Sequence, residues 1–304
     1  MSSALSGIKI TVVGGDDREN VLISELIRLG ATVAVVGFPR NKIKQGGYLV
    51  DTVEEACRGA EVLILPMPGT NPQGHIRAVY CEEELELTEK AVKLMAPNAL
   101  VIIGTARSFL QEWSRKYRFT LLEIAEMDEI AIPNSIPTAE GAIQIAMEEL
   151  PVTIHGIRAC VLGFGRVGTT LARKLNGLNA VVTVVSREPA QLARAQEMGC
   201  YPGTFNNLAS TVQQSQVIFN TVPEVVLNRE VLRRANPDVL IVDLATQPGG
   251  TDFEAAYQFG IKAILAPGLP GKVAPLTAGK VLADVVPRMV VKELSKLDQG
   301  LLYG

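Results

Sequence analysis

The residues with the clearest chemical signature are the glycines of Gly163-Phe164-Gly165-Arg166-Val167-Gly168, near the middle of the 304-residue chain. They follow the apolar run 157–162, typical of a buried strand, and open the segment 167–175, whose apolar residues have helical spacing. In this context the first glycine permits a tight turn, the second lets the backbone approach a pyrophosphate, and the third lets the helix pack on the strand. The free N–H groups of the helix then face the phosphates. The pattern predicts a dinucleotide bound by Gly163, Gly165, Arg166, Val167 and Gly168; the alternative is a glycine-rich turn without a ligand.

The end of the next strand bears on which dinucleotide binds. The apolar run 180–185 ends in Ser186 and Arg187. A cofactor without a 2′-phosphate is usually held there by Asp or Glu. A hydroxyl and a guanidinium suit a 2′-phosphate instead, because arginine offers a planar fork of donors to a dianion. The sequence therefore favours NADP over NAD. The adjacent Glu188 argues against this choice, and the alternative is that Arg187 is simply a solvated surface residue.

Further candidate cofactor contacts follow the later strands of this half. The predicted strand 217–220 leads into a polar turn, where a nicotinamide ribose would be held. The predicted strands 239–242 and 263–265 also end in turns, and the second is followed by a loop rich in glycine and proline. The candidates in these turns are Thr221, Val222, Pro223, Asp243, Leu244, Pro267 and Gly268.

A second strand–glycine–helix segment lies at the start of the chain. The run 8–13 leads into Gly14-Gly15-Asp16, an amphipathic stretch over 19–29, and a strand over 32–36. This turn lacks the third glycine, and Asp16 would repel a pyrophosphate, so we expect no second nucleotide. Asp16 and Arg18 are instead candidate catalytic residues that face the substrate; the equally weighted alternative is helix capping by Asp16 beside a solvated Arg18.

The segment 134–141 is rich in capping and turn-forming residues and is expected to precede a helix over 142–149, which Pro151 ends. A helix that passes between domains would place Ser135 and Thr138 at its N-terminus, where they could donate to a carboxylate. These two residues and Glu140 are candidate catalytic residues, with ordinary helix capping as the alternative.

Continuous apolar runs, also found at 62–65, 100–103 and 119–122, are typical of parallel strands buried on both faces. We therefore predict an α/β fold of two doubly wound, Rossmann-like domains with mainly parallel sheets, linked by interdomain helices and with a cleft between them. The expected substrate-side domain comprises residues 1–135 and 276–304, and the dinucleotide-binding domain comprises residues 136–275. A long helix over about 276–297 is expected to return to the first domain.

Composition excludes several classes of protein. A net charge of −3 gives no reason to expect nucleic acid or an anionic membrane as a partner. No apolar run is long enough to cross a bilayer, and the first residues do not have the pattern of a signal peptide. The four cysteines and two histidines have no metal-binding spacing, so we expect no metal, reduced thiols and a cytoplasmic protein.

Segments spread over nearly the whole chain combine into a pattern far more specific than the glycine turn alone. They are Val13-Gly14-Gly15-Asp16, Ile130-Ala131-Ile132, Asn134-Ser135-Ile136-Pro137-Thr138, Thr153-Ile154-His155-Gly156, Leu162-Gly163 through Gly168, Asp243-Leu244-Ala245, Pro248-Gly249-Gly250-Thr251-Asp252-Phe253 and Ala266-Pro267-Gly268-Leu269-Pro270-Gly271. In these segments the chain resembles the A subunits of the dipicolinate synthases of endospore-forming bacteria.

The resemblance implies an NADP-linked oxidation of a cyclic dihydrodipicolinate-type intermediate of the lysine pathway to dipicolinate, which is pyridine-2,6-dicarboxylate. It also implies that a smaller, flavoprotein-like B subunit is the partner and that the protein works in the mother cell of a sporulating bacterium. We expect a homo-oligomer as well.

The mechanistic hypothesis is hydride transfer from a ring carbon to C4 of NADP⁺ with loss of a ring proton. Arg18, Ser135 and Thr138 are the candidate partners of the two substrate carboxylates, and the proton acceptor is left open among Asp16, Glu140, Asp243 and His155. Two alternatives stay open: another dehydrogenase of alanine-dehydrogenase-like or methylenetetrahydrofolate-dehydrogenase-like architecture, and a non-catalytic NADP-binding scaffold for a catalytic partner.

Overall fold

A computed structural model describes residues 4–43 and 46–302 of the chain. The chain divides into two compact units, one formed by Met1–Pro133 with Ala274–Gly304 and the other by Asn134–Val273. Each unit contains a six-stranded parallel sheet. The predicted α/β class with two mainly parallel, Rossmann-type sheets is confirmed.

The first unit alternates strands and helices along the chain. Its elements are β1 (Lys9–Val13), α1 (Asp17–Arg28), β2 (Thr32–Val36), β3 (Gly47–Leu49), α2 (Val53–Cys57), β4 (Val62–Ile64), β5 (His75–Ile76), β6 (Leu85–Glu86), α3 (Glu89–Lys93), β7 (Leu100–Ile103), α4 (Ser108–Tyr117), β8 (Thr120–Glu123) and, after the second unit, α12 (Pro275–Leu302). The sheet has the order β3-β2-β1-β4-β7-β8, and β5 and β6 form a separate antiparallel pair.

Alternate residues of the central strands supply the two cores of this unit. Val12 packs with Leu22 of α1 and Val286 of α12 on one face. Val13 packs with Val53 of α2 and with the helices that follow it on the other face. Because side chains of a strand point alternately to its two faces, an unbroken apolar run serves both cores.

The second unit has the same plan. Its elements are β9 (Arg158–Leu162), α6 (Arg166–Gly177), β10 (Val181–Val185), α7 (Pro189–Glu197), β11 (Tyr201–Gly203), α8 (Leu208–Gln214), β12 (Val217–Asn220), α9 (Arg229–Leu232), β13 (Leu240–Asp243), α10 (Phe253–Gln258), β14 (Lys262–Leu265) and α11 (Leu269–Val273). The sheet order is β11-β10-β9-β12-β13-β14, so the direction of winding reverses between β9 and β12. In such sheets ligands bind outside the carboxyl ends of the strands at this reversal.

The helix α5 (Asp128–Glu149) corrects the prediction of a cap-rich turn before a helix at 142–149. It begins at Asp128, and Pro133 and Pro137 lie within it. Both prolines remove a backbone donor, which disfavours a helix interior. Burial of Ile130, Ala142 and Ala146 outweighs this cost, because these side chains complete apolar cores.

The bounds predicted for β2, β7 and β12 are those observed. The glycine-rich and proline-rich loop before the last helix contains the short helix α11, which the sequence pattern does not predict. No helix among the described residues is both long enough and apolar enough to cross a membrane.

Candidate functional site

Each glycine of the turn after β9 meets a different steric demand. Gly163 has a φ of +86°, a left-handed conformation that favours glycine. A Cβ on Gly168 would overlap the carbonyl oxygen of Gly163, so only glycine lets α6 approach the turn this closely. A Cβ on Gly165 would meet nothing within 4 Å, and Gly165 caps α6 without a side-chain hydrogen bond. The backbone at Gly165 therefore faces open space at a helix N-terminus, which fits a bound pyrophosphate.

A cavity of about 300 Å³ opens over this turn. It brings together seven of the predicted cofactor contacts, Gly163, Gly165, Ser186, Arg187, Thr221, Val222 and Pro223. They come from the carboxyl ends of β9, β10 and β12, which are neighbours in the sheet. The parallel topology thus gathers residues that are far apart in the sequence.

The two residues after β10 have different surroundings. Ser186 is buried, and its hydroxyl donates to Gln191 Oε1 at 2.6 Å and accepts from the Glu188 backbone N–H at 3.1 Å. Arg187 is exposed, and its Nη1 lies 3.7 Å from a carboxylate oxygen of Glu224. Arg187 is therefore the donor available to a phosphate in this cavity, and Glu188 and Glu224 line the same cavity as acidic groups.

Asp243 corrects a prediction, because its side chain is fully buried and already saturated by donors of the protein. One oxygen accepts from Asn220 Nδ2 and from the Ala245 backbone N–H, each at 3.0 Å. The other accepts from the Gly250 backbone N–H at 2.9 Å and from the Thr251 hydroxyl at 2.6 Å. Asp243 therefore anchors the loop 245–251 and is not an accessible cofactor ligand or proton acceptor.

Asn220 is a positioning residue that was not predicted from the sequence. Besides its bond to Asp243, it accepts from the Val222 backbone N–H at 3.1 Å and donates to the Val222 carbonyl at 2.9 Å. These bonds fix the 221–223 turn that lines the cavity. The signal in the sequence was a polar residue that ends an otherwise apolar strand.

The remaining predicted cofactor contacts are not among the residues that line this cavity. Arg166 and Val167 begin α6, Leu244 packs against an apolar core, and Pro267 and Gly268 lie exposed before α11. Their contact with a cofactor stays a prediction.

In the first unit, Asp16 caps α1 and Arg18 is buried against it. Arg18 donates from Nε and Nη2 to the two Asp16 oxygens at 2.9 and 3.0 Å, and the Asp16 side chain also accepts from the Arg18 backbone N–H at 3.0 Å. Glu19 completes a capping box by accepting from the Asp16 backbone N–H at 2.8 Å. The capping alternative is therefore confirmed for Asp16, but the alternative of a solvated Arg18 is wrong.

The electrostatics of this cluster follow from its burial. Burial alone would raise the pKa of Asp16, but the hydrogen bonds and charge of Arg18 outweigh it and lower that pKa. Burial raises the pKa of Glu19 above its ordinary value. Because the guanidinium fork of Arg18 is occupied by Asp16, direct contact of either residue with a substrate stays a prediction.

The candidates on α5 do not lie at a helix N-terminus, which corrects the predicted placement. Ser135 is buried, and its hydroxyl lies 2.6 Å from that of Thr170 on α6. The Thr138 hydroxyl donates to the Asn134 carbonyl at 2.8 Å, and the exposed Glu140 accepts from Lys174 Nζ at 2.7 Å. Their catalytic roles stay predictions without the helix-terminus geometry that suggested them. His155 lies in an exposed loop.

Comparison with known proteins links both units to known families. Residues 9–125 match the N-terminal domain of the dipicolinate synthase A subunits, and residues 138–247 match the NAD-binding domain of D-isomer specific 2-hydroxyacid dehydrogenases. The A subunit of dipicolinate synthase from Bacillus subtilis (strain 168) is 38% identical over 289 residues, which cover 95% of this chain and 97% of that protein. The chain belongs to the family of dipicolinate synthase A subunits.

Comparison with solved structures supports the same family. The crystal structure of the dipicolinate synthase A subunit from Bacillus halodurans has a TM-score of 0.90 and 38% identity, and the similarity covers 94% of this chain and 98% of that one. An L-alanine dehydrogenase has a TM-score of 0.64 at 17% identity over 93% of this chain and 90% of that one, which shows a shared fold alone. Together with the NAD-binding domain, family membership makes the chain a dehydrogenase-like subunit that binds NAD or NADP.

Proposed function

We propose that this protein oxidises a dihydrodipicolinate-type dicarboxylate to dipicolinate with NADP⁺, in a complex with a B subunit of the synthase. The observation that carries the proposal is the 38% identity to the A subunit of a dipicolinate synthase over nearly the full length of both chains. That similarity includes both units, so it extends beyond the dinucleotide turn that many dehydrogenases share.

The residues around the turn after β9 fit an NADP cofactor. The open space at Gly165 would admit the pyrophosphate, and Arg187 would bind a 2′-phosphate through its guanidinium. When bound, NADP⁺ would supply the hydride acceptor for oxidation of the substrate ring. This chain would hold the cofactor through the turns after β9, β10 and β12. Asn220, which is hydrogen-bonded to Asp243, maintains the shape of the turn after β12.

On the substrate side, the first unit would bind an anionic ring by its carboxylates. Oxidation to an aromatic pyridine also releases a ring proton, which needs an acceptor. Among the predicted acceptors, Asp243 is buried, whereas Asp16 and Glu140 are each paired with a cation. Asp16 or Glu140 would therefore have to exchange its protein partner for the substrate; the exposed His155 and water are the other candidate acceptors.

The proposed function is tested by incubating the purified chain with freshly generated dihydrodipicolinate and either NADP⁺ or NAD⁺. We expect NADPH absorbance and dipicolinate to appear together, with NADP⁺ the better oxidant. The assay is run with the chain alone and with the B subunit present. If NADPH and dipicolinate form neither with the chain alone nor with the B subunit present, the proposal is wrong. If they form only with the B subunit, and Arg187→Gln in this chain leaves their rate of formation unchanged, the chain is a scaffold.

A further inference from the structure

Two arginines that the sequence analysis did not select, Arg77 and Arg107, lie on loops at the carboxyl ends of the strands of the first sheet. In that sheet the winding reverses between β1 and β4, the equivalent of the cofactor-binding position in the second sheet. Ligands of doubly wound sheets bind outside the strand ends at this reversal. Thr70 lies in the loop between β4 and β5, Arg77 directly follows β5, and the loop that follows β7 contains Arg107.

Backbone contacts fix Arg77 beside the turn that follows β1. The Gly15 N–H donates to the Arg77 carbonyl at 2.7 Å, and the Val79 N–H donates to the Gly15 carbonyl at 3.0 Å. The charge of Arg77 also acts on this turn. Burial raises the pKa of Asp16, but the hydrogen bonds and charge of Arg18 outweigh burial, and the charge of Arg77 lowers that pKa further. Arg77 therefore places a second positive charge at the turn, beyond that of Arg18.

Arg107 is fixed to the same loop from the other side. Its Nε donates to the Thr70 carbonyl at 3.0 Å. Thr70 pairs with Ile76 in an isolated antiparallel bridge, and Ile76 directly precedes Arg77 in the sequence. The carbonyl that Arg107 contacts therefore belongs to a residue paired with the neighbour of Arg77. Gly69 and Gly104 let the two loops meet backbone to backbone, because a Cβ on either would overlap a carbonyl oxygen of the other loop.

In the part of the chain that the structure describes, two exposed arginines of this cluster have no carboxylate partner, and one buried hydroxyl has no hydrogen-bond partner. Within residues 4–43 and 46–302, neither Arg77 nor Arg107 forms an ion pair with a carboxylate. The Thr70 side chain is 3% exposed, and its hydroxyl has no hydrogen-bond partner. A buried hydroxyl without a partner costs free energy and calls for a ligand or another explanation.

We propose that Arg77 and Arg107 each bind one carboxylate of the substrate, and that the Thr70 hydroxyl hydrogen-bonds the same ligand. The inference rests on the proposed function, which supplies a ring with two carboxylates. Arginine suits this task because its planar fork matches a carboxylate. Arg18, the earlier candidate, has that fork occupied by Asp16, whereas Arg77 and Arg107 have no carboxylate partner among the described residues.

The test measures binding of two probes to the full chain by calorimetry in the presence of NADP⁺. Pyridine-2,6-dicarboxylate has both carboxylates, and pyridine-2-carboxylate has one. We expect the wild type to bind the dicarboxylate more tightly by about tenfold or more, and Arg77→Gln or Arg107→Gln to weaken it by a similar factor. The single-carboxylate probe should lose less, because one arginine is enough for it. Arg58→Gln, an exposed arginine at the end of α2, is the matched control and should change neither affinity.

A second variant separates binding from folding. Thr70→Val removes a hydroxyl without a partner, so it should leave the melting temperature unchanged or raise it while weakening dicarboxylate binding. If the glutamine variants fail to fold, Arg77→Lys and Arg107→Lys replace them, because lysine keeps the positive charge but lacks the planar fork of donors. Each lysine variant should still bind the dicarboxylate more weakly than the wild type, by less than the loss expected for glutamine.

The outcomes distinguish this inference from the function beneath it. Wild-type affinity for the dicarboxylate in folded Arg77→Gln and Arg107→Gln, or equal wild-type affinity for the two probes, overturns the inference and leaves the proposed function standing. A wild type that binds neither probe and oxidises no dihydrodipicolinate overturns both.

Discussion

Two glycines on α6 differ in the space that is available for an added methyl group. A Cβ at Gly168 would overlap the Gly163 carbonyl oxygen, whereas a Cβ at Gly177 would meet nothing within 4 Å. Gly168→Ala must therefore displace the turn that faces the cofactor, and we expect NADP⁺ affinity measured by calorimetry to fall by about tenfold or more. Gly177→Ala should bind NADP⁺ as the wild type does. Equal affinities for the two variants would contradict the assignment of this turn to the cofactor.

Cofactor preference should depend on the charges at the end of β10. Arg187→Gln removes the guanidinium available to a 2′-phosphate, so we expect NADP⁺ affinity to fall by about tenfold while NAD⁺ affinity changes little. Glu224→Gln should act in the opposite direction, because Glu224 lies 3.7 Å from Arg187 and would repel the phosphate. Arg194→Gln, an exposed arginine on α7, is the control. An equal loss for both dinucleotides would argue against NADP.

The buried cap of α1 should make stability depend on pH in a specific way. Because the pKa of Glu19 is raised in the folded state, its contribution to stability falls as pH rises above about 4, its ordinary value, towards the folded-state pKa. Glu19→Gln keeps the capping acceptor but cannot ionise. Its free energy of unfolding, measured by urea denaturation, should therefore gain on that of the wild type as pH rises through this interval.

Asp16→Asn supplies the opposite control, because the folded-state pKa of Asp16 is lowered. The stability that the ionised Asp16 provides is complete above its ordinary pKa and is lost as pH falls through the folded value. The penalty of Asp16→Asn should thus be largest near neutral pH and shrink in acid. Differences that stay constant with pH for both variants would contradict both the effect of burial on the pKa of Glu19 and the effect of Arg18 on the pKa of Asp16.

At the scale of elements, α5 is held by a hydroxyl that the sequence analysis placed at a helix end. Ser135 is buried and contacts Thr170 on α6, so Ser135→Ala leaves the Thr170 hydroxyl without this partner. We expect a loss of about 1–2 kcal/mol in the free energy of unfolding. Thr138→Ala should cost less, because its hydroxyl bonds only to a carbonyl of its own helix. A catalytic Ser135 would instead lower turnover with stability unchanged.

The contrast between β12 and α5 shows what a single sequence can predict. The bounds of β12 follow from an apolar run ended by Asn220, and local pattern is enough. The first half of α5 has two prolines and several capping residues, so local preference opposes the helix that tertiary burial of Ile130 and Ala139 imposes.

The candidate sites show the same limit. The glycines of the cofactor turn are predictable because their roles are local. Burial is not local, so the sequence predicts an accessible ligand at Asp243 although four donors surround its carboxylate. Arg77 and Arg107 escape prediction for a related reason: only the sheet order brings their loops together.

At the scale of the whole molecule, each unit has its own apolar cores and at least one buried thiol. Cys57 lies in a core of the first unit and Cys160 in a core of the second. Burial raises the pKa of each thiol to about 12, with a smaller contribution from Glu54 at Cys57. Because the thiolate is the reactive form, both cysteines should resist thiol reagents until their unit unfolds. Each cysteine is therefore a reporter of the unit that contains it.

Labelling of these thiols tests the division of ligands between the units. A ligand that binds only the folded state stabilises it by about 2.7 kcal/mol at a hundred times its Kd, so labelling limited by unfolding should slow about a hundredfold. We expect NADP⁺ to protect Cys160 more than Cys57, and pyridine-2,6-dicarboxylate to do the reverse, measured by mass spectrometry of the labelled peptides. The half-exposed Cys81 should react early in every sample and serves as the internal control for reagent activity. Equal protection of Cys57 and Cys160 by NADP⁺ would mean that the two units unfold in one step. Protection of Cys57 alone would mean that the cofactor binds the first unit, which would contradict the assignment of the cofactor to the second unit.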